Sequence, residues 1–247
     1  MNHKDTYAVV DIETTGGNVA NGDRMIQFGC VLIEDDQIVH RFATNINPLT
    51  SIPKQIEHLT GLSNKSVALA PYFEDIAATI YNLLDGCIII AHNIHFDYTF
   101  LSGELQRCGL PALKNKGIDT VELAQILLPT ESSYRLNDLV RKFNIEHTNP
   151  HQADSDAAVT AELFLVLKQK LKELPLVTVE KLVELSENLT METSYFFKTN
   201  LAEMKNERLP LSESLMIKNG IAIKVKQPMF EQKNYREDVF YPATVIK

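Results

Sequence analysis

Acidic side chains that could bind divalent cations occur at three separated places in the sequence. The first pair, Asp11 and Glu13, lies at the end of an apolar, β-branched segment that is predicted to be a buried strand. Because side chains alternate between the two faces of a strand, both carboxylates project to the same side as Val9. The alternative is a pair of turn residues preceding Thr14-Thr15-Gly16. This pair alone does not distinguish a metal site from a turn.

Asp97 shares a face of a predicted helix with leucines. Leu101 and Leu105 follow it at four and eight residues, on the stripe that a helix turns inward. An ionised carboxylate on an apolar stripe costs several kcal/mol, roughly, unless it has a partner, and a metal ion would be one. The alternative is an aspartate in the first helical turn that the helix dipole stabilises.

Asp156 repeats this pattern in a later predicted helix. Val159 and Leu163 follow it at three and seven residues, so this acid also lies on a largely apolar stripe. Two other acids of the same helix, Asp154 and Glu162, face elsewhere and are expected to be solvated. Helical periodicity therefore selects Asp156 from the acids of this segment.

Histidines flank two of these acidic positions. His151 lies five residues before Asp156, in a loop. Next to a metal site it is a candidate general base, because its unperturbed pKa lies near neutrality, whereas an isolated loop histidine would be a surface residue. His92 and His95, near Asp97, compete for this role, and either could instead be structural or contact a substrate.

Composition restricts the protein class. Hydrophobic residues make up 45% of the 247 residues, which is enough for a packed core, and the net charge is −8. Three isolated cysteines (Cys30, Cys87 and Cys108) and the lack of a bilayer-spanning apolar segment predict a soluble, cytoplasmic protein without a membrane association. The acidic charge opposes phosphate binding unless bound metals supply positive charge. Local basic residues that could help are Arg107, Lys114, Lys116, Arg135, Arg141 and Lys142.

The apolar patterning predicts an α/β sheet with one antiparallel member. The predicted strands cover residues 7–12, 25–33, 37–46, 87–91 and a short segment ending at 118. The predicted helices cover residues 53–60, 71–85, 95–108, 119–128, 136–143 and 154–174, with a further helix from about 179. Beyond Pro175 the character changes, and Asn219-Gly220 between apolar runs predicts a hairpin.

Three ordered motifs carry a resemblance to a known family. Asp11-Ile12-Glu13-Thr14-Thr15-Gly16, His92-Asn93-Ile94-His95-Phe96-Asp97 and His151-Gln152-Ala153-Asp154-Ser155-Asp156 resemble the exonuclease motifs of the DEDDh (DnaQ-like) family, over about residues 5–174. The sister tyrosine subclass has Tyr four residues before the last Asp, where this chain has Gln152. The resemblance implies a ribonuclease H-like mixed five-stranded sheet with helices on both faces, an antiparallel second strand and the third strand at an edge.

The resemblance also implies a metal-dependent 3′-to-5′ exonuclease acting on single-stranded nucleic acid with a free 3′ end. Four carboxylates would hold two Mg²⁺ or Mn²⁺ ions, namely Asp11, Glu13, Asp97 and Asp156, and His151 would act as the general base. The pocket for the terminal nucleotide would be lined by Thr14, Thr15, Asn93 and Phe96. Core packing is an equal alternative for Phe96, and the choice between DNA and RNA stays open.

The chain is predicted to divide into an exonuclease domain, residues 1–174, and an extension, residues 175–247, with a linker helix and a hairpin. This order resembles the front of the DinG-type proteins of Gram-positive bacteria, in which an exonuclease is fused to a helicase-like region, and indicates a role in DNA repair or nucleic-acid processing. A proofreading subunit with a polymerase-binding tail is the rival interpretation. Two other classes remain: a nuclease-fold module that binds without cutting, and a structural domain.

Overall fold

A computed structural model of the chain describes residues 5–208, 212–218, 221–227 and 244–245. The strands of its main sheet are β1 (Tyr7–Thr14), β2 (Met25–Glu34), β3 (Gln37–Asn45), β4 (Ile88–Ala91) and β5 (Gly117–Asp119). The helices are α1 (Lys54–Thr60), α2 (Phe73–Leu84), α3 (Ile94–Arg107), α4 (Thr120–Leu127), α5 (Leu136–Lys142), α6 (Ala153–Lys172), α7 (Leu176–Leu185) and α8 (Ser194–Arg208). Short 3-10 turns cover Val19–Asn21 and Ser186–Asn188.

The main sheet has five strands in the order β3-β2-β1-β4-β5. Strand β2 is antiparallel to both β1 and β3, whereas β1 and β4, and β4 and β5, are parallel. The antiparallel strand, the position of β3 at one edge and the mixed five-stranded sheet confirm the predicted ribonuclease H-like fold. Strand β1 is therefore central, with hydrogen-bonded neighbours on both sides.

Helices cover both faces of this sheet, and the alternation along β1 decides which side chain meets which helix. Ala8 and Val10 pack into the buried cluster that includes residues of α2 and α3. On the opposite face, the ring centroid of Tyr7 lies 5.1 Å from that of Phe164 in α6. Because side chains alternate along a strand, Asp11 and Glu13 share the face of Tyr7, towards α6. The two acids therefore lie at the end of a buried apolar row.

The structure extends or adds several elements relative to the predicted ones. Strand β1 continues to Thr14, because Glu13 pairs with Gln27 of β2. Helix α8 and the two 3-10 turns were not predicted, and the helix expected from about residue 179 begins at Leu176, directly after Pro175. Among the described residues, no helix is long and apolar enough to cross a membrane.

The chain forms two compact units, residues 1–198 and 199–247. In the second unit, strands β6 (Ser212–Lys218) and β7 (Ile221–Gln227) are antiparallel, with Lys218 opposite Ile221. The predicted hairpin turn, Asn219-Gly220, lies outside the described residues. A short strand β8 (Thr244–Val245) pairs with β7. Residues 175–198 belong to the first unit, and the predicted domain boundary at residue 174 stays a prediction.

Candidate active site

Three of the four predicted carboxylates converge at the end of β1. One carboxylate oxygen from each of Asp11, Glu13 and Asp156 lies within 4.8 Å of the others. The strand brings the first two together because they are two residues apart on one face. The third comes from the first turn of α6, about 140 residues later in the chain. Three oxygen ligands at such spacing could share a divalent cation.

Asp97 joins this cluster from the other side of the strand. It is buried in the first turn of α3, and its Oδ1 accepts a hydrogen bond from the backbone N–H of Ile12 at 3.1 Å. Ile12 lies between Asp11 and Glu13, so Asp97 is fixed to the backbone of the strand that carries these two acids. Helix α3 starts after Asn93, which adopts a left-handed conformation (φ 77°).

Two residues of β2 hold the start of α6 against the sheet. The side-chain Oε1 of Gln27 accepts a hydrogen bond from the backbone N–H of Ala153 at 2.7 Å. Gly29 gives the helix room, since a Cβ at this position would lie 2.1 Å from the carbonyl oxygen of Ala153. Gln27 and Gly29 are the partners of Glu13 and Asp11 across the β1–β2 pair. The same pairing therefore positions two acids directly and Asp156 through α6.

Burial and mutual repulsion raise the pKa values of these four carboxyl groups. Burial, followed by the charges of Asp156 and Asp97, raises the pKa of Glu13 from 4.5 to about 8. Burial raises the pKa of Asp97 to about 7, against the opposing hydrogen bond from Ile12. Burial also raises the pKa values of Asp11 and Asp156, in Asp11 with help from the neighbouring acids. Four oxygen-donating acids that repel one another fit hard divalent cations such as Mg²⁺ or Mn²⁺.

Two histidines contact Asp156, and the sequence indicated only one of them. The backbone N–H of His151 donates to Oδ2 of Asp156 at 3.2 Å, while the His151 residue itself is exposed and adopts a left-handed backbone (φ 64°). The Nε2 of His147 lies 2.6 Å from Oδ1 of the same carboxylate. The His147 side chain is only 6% exposed, and its buried Nδ1 has no hydrogen-bond partner among the described residues. His147 lies in a loop, nine residues before Asp156, where no helix or strand periodicity in the sequence indicates a role for it.

The other candidate histidines occupy different environments. His92 is fixed by two contacts, Nδ1 with the hydroxyl of Thr120 at 2.9 Å and Nε2 with the carbonyl oxygen of Tyr134 at 2.8 Å. Because a carbonyl oxygen only accepts, Nε2 carries the hydrogen, and burial lowers the pKa of this ring. His92 is therefore structural. His95 is exposed. Asp154 and Glu162, the two acids of α6 that were predicted to be solvated, are also exposed.

The residues predicted to line a nucleotide pocket lie at the end of β1, directly after it, or shortly before Asp97. The hydroxyl of Thr14 donates to the carbonyl oxygen of Gly16 at 2.6 Å, and that of Thr15 accepts from the N–H of Arg24 at 3.0 Å. Asn93 is exposed, and Phe96 is partly buried against the core, with its ring centroid 5.8 Å from that of Phe100. The threonines thus stabilise the turn after β1, and Phe96 combines core packing with partial exposure.

One of the basic residues that could contact phosphate already forms ion pairs within the protein. Arg107 is paired with the fully buried Glu104, with Nε 2.9 Å from Oε1, and also bonds Glu74. Of the other basic residues, Lys142 pairs with Glu131, and the Lys116 ammonium lies 3.8 Å from the ring centroid of Tyr195. The ion pairs with Glu104 and Glu74 make Arg107 primarily a structural cation.

Comparison with known proteins identifies the family. The family model described as "Exonuclease" (RNase_T) matches residues 8–164, which is more than half of the chain. The 3′-5′ exonuclease DinG of Bacillus subtilis is 39% identical over 208 residues, which cover 84% of this chain and 22% of that protein. DinG of Staphylococcus aureus strain USA300 is 39% identical over 184 residues, which cover 74% of this chain and 20% of that protein. The chain thus spans about a fifth of the length of these curated relatives.

Solved structures share the fold. Exonuclease I of E. coli, in complex with a dT13 oligonucleotide, aligns with a TM-score of 0.64 and 19% identity, over 75% of this chain and 44% of that one. The nuclease domain of 3′hExo, a DEDDh family member bound to rAMP, aligns with a TM-score of 0.59 and 19% identity, over 68% of this chain and 94% of that one. The family model over residues 8–164, together with the DinG relatives, confirms the resemblance stated from the sequence: the chain belongs to the exonuclease family.

Proposed function

We propose that this chain is a 3′-to-5′ exonuclease that releases mononucleotides from single-stranded DNA. The observation that carries the proposal is the convergence of Asp11, Glu13 and Asp156 within 4.8 Å, with Asp97 bonded to the strand between the first two. A merely structural domain would gain nothing from bringing together four acids that repel one another, two of them buried and two partly buried. An active site for phosphodiester hydrolysis accounts for that arrangement.

In this proposal the four carboxylates hold two divalent cations, Mg²⁺ or Mn²⁺. When bound, such ions supply the positive charge that stabilises the attacking and leaving oxygens of phosphodiester hydrolysis. The protein keeps the carboxylates in place in the ways described above: Ile12 binds Asp97, and the start of α6 carries Asp156. Binding of cations would also release the protons that burial keeps on Glu13 and Asp97.

His151 is the proposed general base that removes a proton from the attacking water. The backbone N–H of His151 is hydrogen-bonded to the Asp156 carboxylate, and the residue is exposed. His151 therefore lies beside the carboxylate cluster and is accessible to solvent. An imidazole is the side chain that most often acts as a general base in enzymes. Thr14, Thr15, Asn93 and Phe96 would contact the terminal nucleotide, the threonines through the turn that they stabilise.

The substrate and the biological setting rest on the relatives. The curated relatives are named 3′-5′ exonucleases, and one structural neighbour is bound to a dT13 oligonucleotide. We extend these properties to the present chain as a preference for single-stranded DNA over RNA. A helicase-like region fused in the full-length protein, and a role in DNA repair or nucleic-acid processing, belong to the same proposal.

The test is a time course on single-stranded DNA and RNA, labelled at the 3′ or the 5′ end, with Mg²⁺, Mn²⁺ or EDTA. We expect a 3′ label to appear at once as a mononucleotide and a 5′ label to shorten stepwise, only with metal and faster on DNA. Asp97→Asn removes the charge and keeps a side-chain oxygen for Ile12, and should lower the rate at least about a hundredfold.

Matched controls are Asp154→Asn and Glu162→Gln, which remove exposed acids from α6 and should leave the rate unchanged. Circular dichroism would verify that all variants fold. Absence of degradation by the folded wild-type chain with either metal would refute the exonuclease. Strand binding in a gel-shift assay without cleavage would then identify a nucleic-acid-binding module. Faster cleavage of RNA would overturn only the sugar preference.

A further inference from the structure

A buried aspartate at the end of β5 binds the first residues of the helix that carries Asp97. The carboxylate of Asp119 accepts hydrogen bonds from the backbone N–H of Asn93 at 3.3 Å and of Ile94 at 3.1 Å. It also accepts from the N–H of Val121 at 2.7 Å, at the start of α4. Asp119 is 6% exposed. One carboxylate therefore fixes the N-terminal ends of two helices.

Asp97 lies three residues after Ile94, within the first turn of α3. The Asp97 carboxylate itself is held by a hydrogen bond from the backbone N–H of Ile12. The start of α3 is thus held between β1 and Asp119, and a shift of either anchor would move the Asp97 carboxylate relative to Asp11 and Glu13. Carboxylates that share a cation tolerate little displacement, because the ligand distances are fixed to a few tenths of an ångström.

The position of Asp119 depends in turn on the segment after α7. Among the residues that the structure describes, strand β5 is an edge of the main sheet, so its outward N–H groups have no strand partner there. The fully buried hydroxyl of Thr193 accepts a hydrogen bond from the N–H of Asp119 at 3.0 Å. The side chain of Glu192 accepts one from the N–H of Gly117 at 3.3 Å. In the described part of the chain, two side chains therefore pair with this edge.

This covering segment packs closely against the sheet. A Cβ on Gly117 would lie 2.9 Å from the Cβ of Met191. The backbone N–H of Thr190 donates to the carboxylate of Glu122 in α4, at 3.1 Å to each oxygen. All these residues lie within the first compact unit, whereas the matching family model ends at residue 164. The segment is thus additional to the matched exonuclease region and contacts the strand that supports its active-site helix.

We propose that Thr193 is a positioning residue, which fixes Asp119 and through it the N-terminus of α3 and Asp97. The inference rests on the proposed exonuclease function. It assigns a task to the extension: residues 186–193 complete the support of the active site from outside the matched region. Thr193 is not one of the four carboxylate residues, and in this proposal it acts on the site through its hydrogen bond with Asp119.

The test compares Thr193→Val with Thr193→Ser in the full chain. Valine keeps the volume and removes the acceptor, leaving the buried N–H of Asp119 unpaired, whereas serine keeps the hydroxyl. We expect Thr193→Val to lower kcat about tenfold with little change in KM for DNA, and Thr193→Ser to retain the wild-type kcat. Amide hydrogen exchange by NMR should be faster at Asn93 and Ile94 in Thr193→Val, relative to amides in the middle of α6.

Two controls separate positioning from general stability. Thr190→Val makes the same substitution on an exposed residue of the same segment and should change neither readout. Val179→Ala opens a cavity at a buried position of α7; it should lower stability without affecting kcat or the exchange at Asn93. A parallel fall in kcat for Val179→Ala and Thr193→Val, assayed where both are folded, would overturn the proposal.

The exchange measurement also distinguishes this inference from the proposed function. If the wild-type chain has no nuclease activity, the exonuclease proposal fails, while faster exchange at Asn93 and Ile94 in Thr193→Val still supports the structural link. If the wild type is active and Thr193→Val matches it in both kcat and exchange, the positioning role of Thr193 is refuted and the exonuclease stands.

Discussion

His147 contacts the carboxylate of Asp156 through Nε2, at 2.6 Å from Oδ1. The other oxygen of that carboxylate accepts the backbone N–H of His151. The two histidines therefore contact the same carboxylate in different ways: His147 through its buried ring, and His151 through its backbone N–H. A ring held against a carboxylate orients that carboxylate, as outer-shell partners of metal ligands do. An exposed ring attached by its backbone remains available for proton transfer.

This difference predicts separate defects for the two histidines. His151→Ala should lower kcat on single-stranded DNA by about a hundredfold or more, because the proposed general base is lost, and added metal should not restore it. His147→Ala should instead raise the Mg²⁺ concentration required for half-maximal activity by about tenfold, because Asp156 loses its orienting partner. Initial rates measured over a Mg²⁺ series separate these effects.

The control for both variants is His58→Ala, which removes an exposed histidine of α1 and should match the wild type. Recovery of His147→Ala at high Mg²⁺, without recovery of His151→Ala, supports the assignment. The reverse pattern, with His147→Ala inactive at every metal concentration and His151→Ala nearly normal, would assign the general base to His147.

The close approach of α6 to β2 predicts that Gly29 cannot be replaced. A Cβ on Gly29 would lie 2.1 Å from the carbonyl oxygen of Ala153, where backbone must move. Gly29→Ala should lower the free energy of unfolding by about 2 kcal/mol, as overpacking does. Displacement of the start of α6 moves Asp156, so nuclease activity should fall even where the variant is fully folded. Urea unfolding and the DNA time course measure the two effects.

Gly17→Ala is the matched control, since nothing lies within 4 Å of a Cβ at Gly17. Its free energy of unfolding should stay within about 0.5 kcal/mol of the wild type. Equal stability of Gly29→Ala and Gly17→Ala would mean that α6 can move away from β2 at no cost, contrary to the packing described above.

The sequence predicted what depends on short-range periodicity. Alternation along one strand placed Asp11 and Glu13 on one face, and helical spacing separated Asp156 from the exposed Asp154. Both are properties of a single element, so they can be read without knowledge of its neighbours. The patterning indicated one antiparallel strand in an α/β sheet, whereas the assignment of that strand to β2 and the edge position of β3 followed from the resemblance to DEDDh exonucleases.

The remaining features depend on contacts between distant segments. His147 lies in a loop without a repeating pattern, and its contact with Asp156 requires the fold of that loop. In the sequence, Gly29 has the appearance of an ordinary strand residue. Thr193 has that of a polar residue after a helix. Their roles appear only when α6 lies on β2 and residues 192–193 lie along β5. Arg107 was assigned by its charge alone, and its buried partner Glu104 was not recognisable from the sequence.

That ion pair leads to a prediction about stability. Glu104 is fully buried and bonded to Arg107, and its other cation, the Nη1 of Arg24, lies 3.8 Å away. Arg107→Met should lower the free energy of unfolding by about 3 kcal/mol, because it leaves a buried charge with one distant partner. The double variant Arg107→Met/Glu104→Met should regain most of this loss. Urea unfolding of the three proteins provides the measurement.

Arg141→Met is the control, since the side chain of Arg141 is 80% exposed and its pairing with Asp138 is a surface contact. We expect a change of at most about 0.5 kcal/mol. If Arg107→Met were as stable as the wild type but bound single-stranded DNA more weakly, Arg107 would be a nucleic-acid contact rather than a structural cation.

The raised pKa values of the acidic cluster predict how stability depends on pH in the absence of metal. Glu13 has a pKa of about 8 in the folded protein against 4.5 ordinarily, so between these values the folded state binds more protons than the unfolded state. The free energy of unfolding in EDTA should therefore be highest below this window and fall as the pH rises through it, by on the order of a few kcal/mol. Asp97, with a pKa of about 7, acts in the same direction.

Divalent cations should oppose this decline, because they stabilise the ionised carboxylates and bind the folded state preferentially. The measurement is urea unfolding at about pH 5 and about pH 8, in EDTA and in Mg²⁺, where Mg²⁺ should stabilise the protein more at the higher pH. Glu13→Gln removes one titrating group and should flatten the dependence in EDTA, whereas Glu162→Gln, on the exposed side of α6, should not. Stability in EDTA that rises from the lower to the higher pH would show that the cluster is ionised without a cation, and the electrostatic argument for a metal site would be lost.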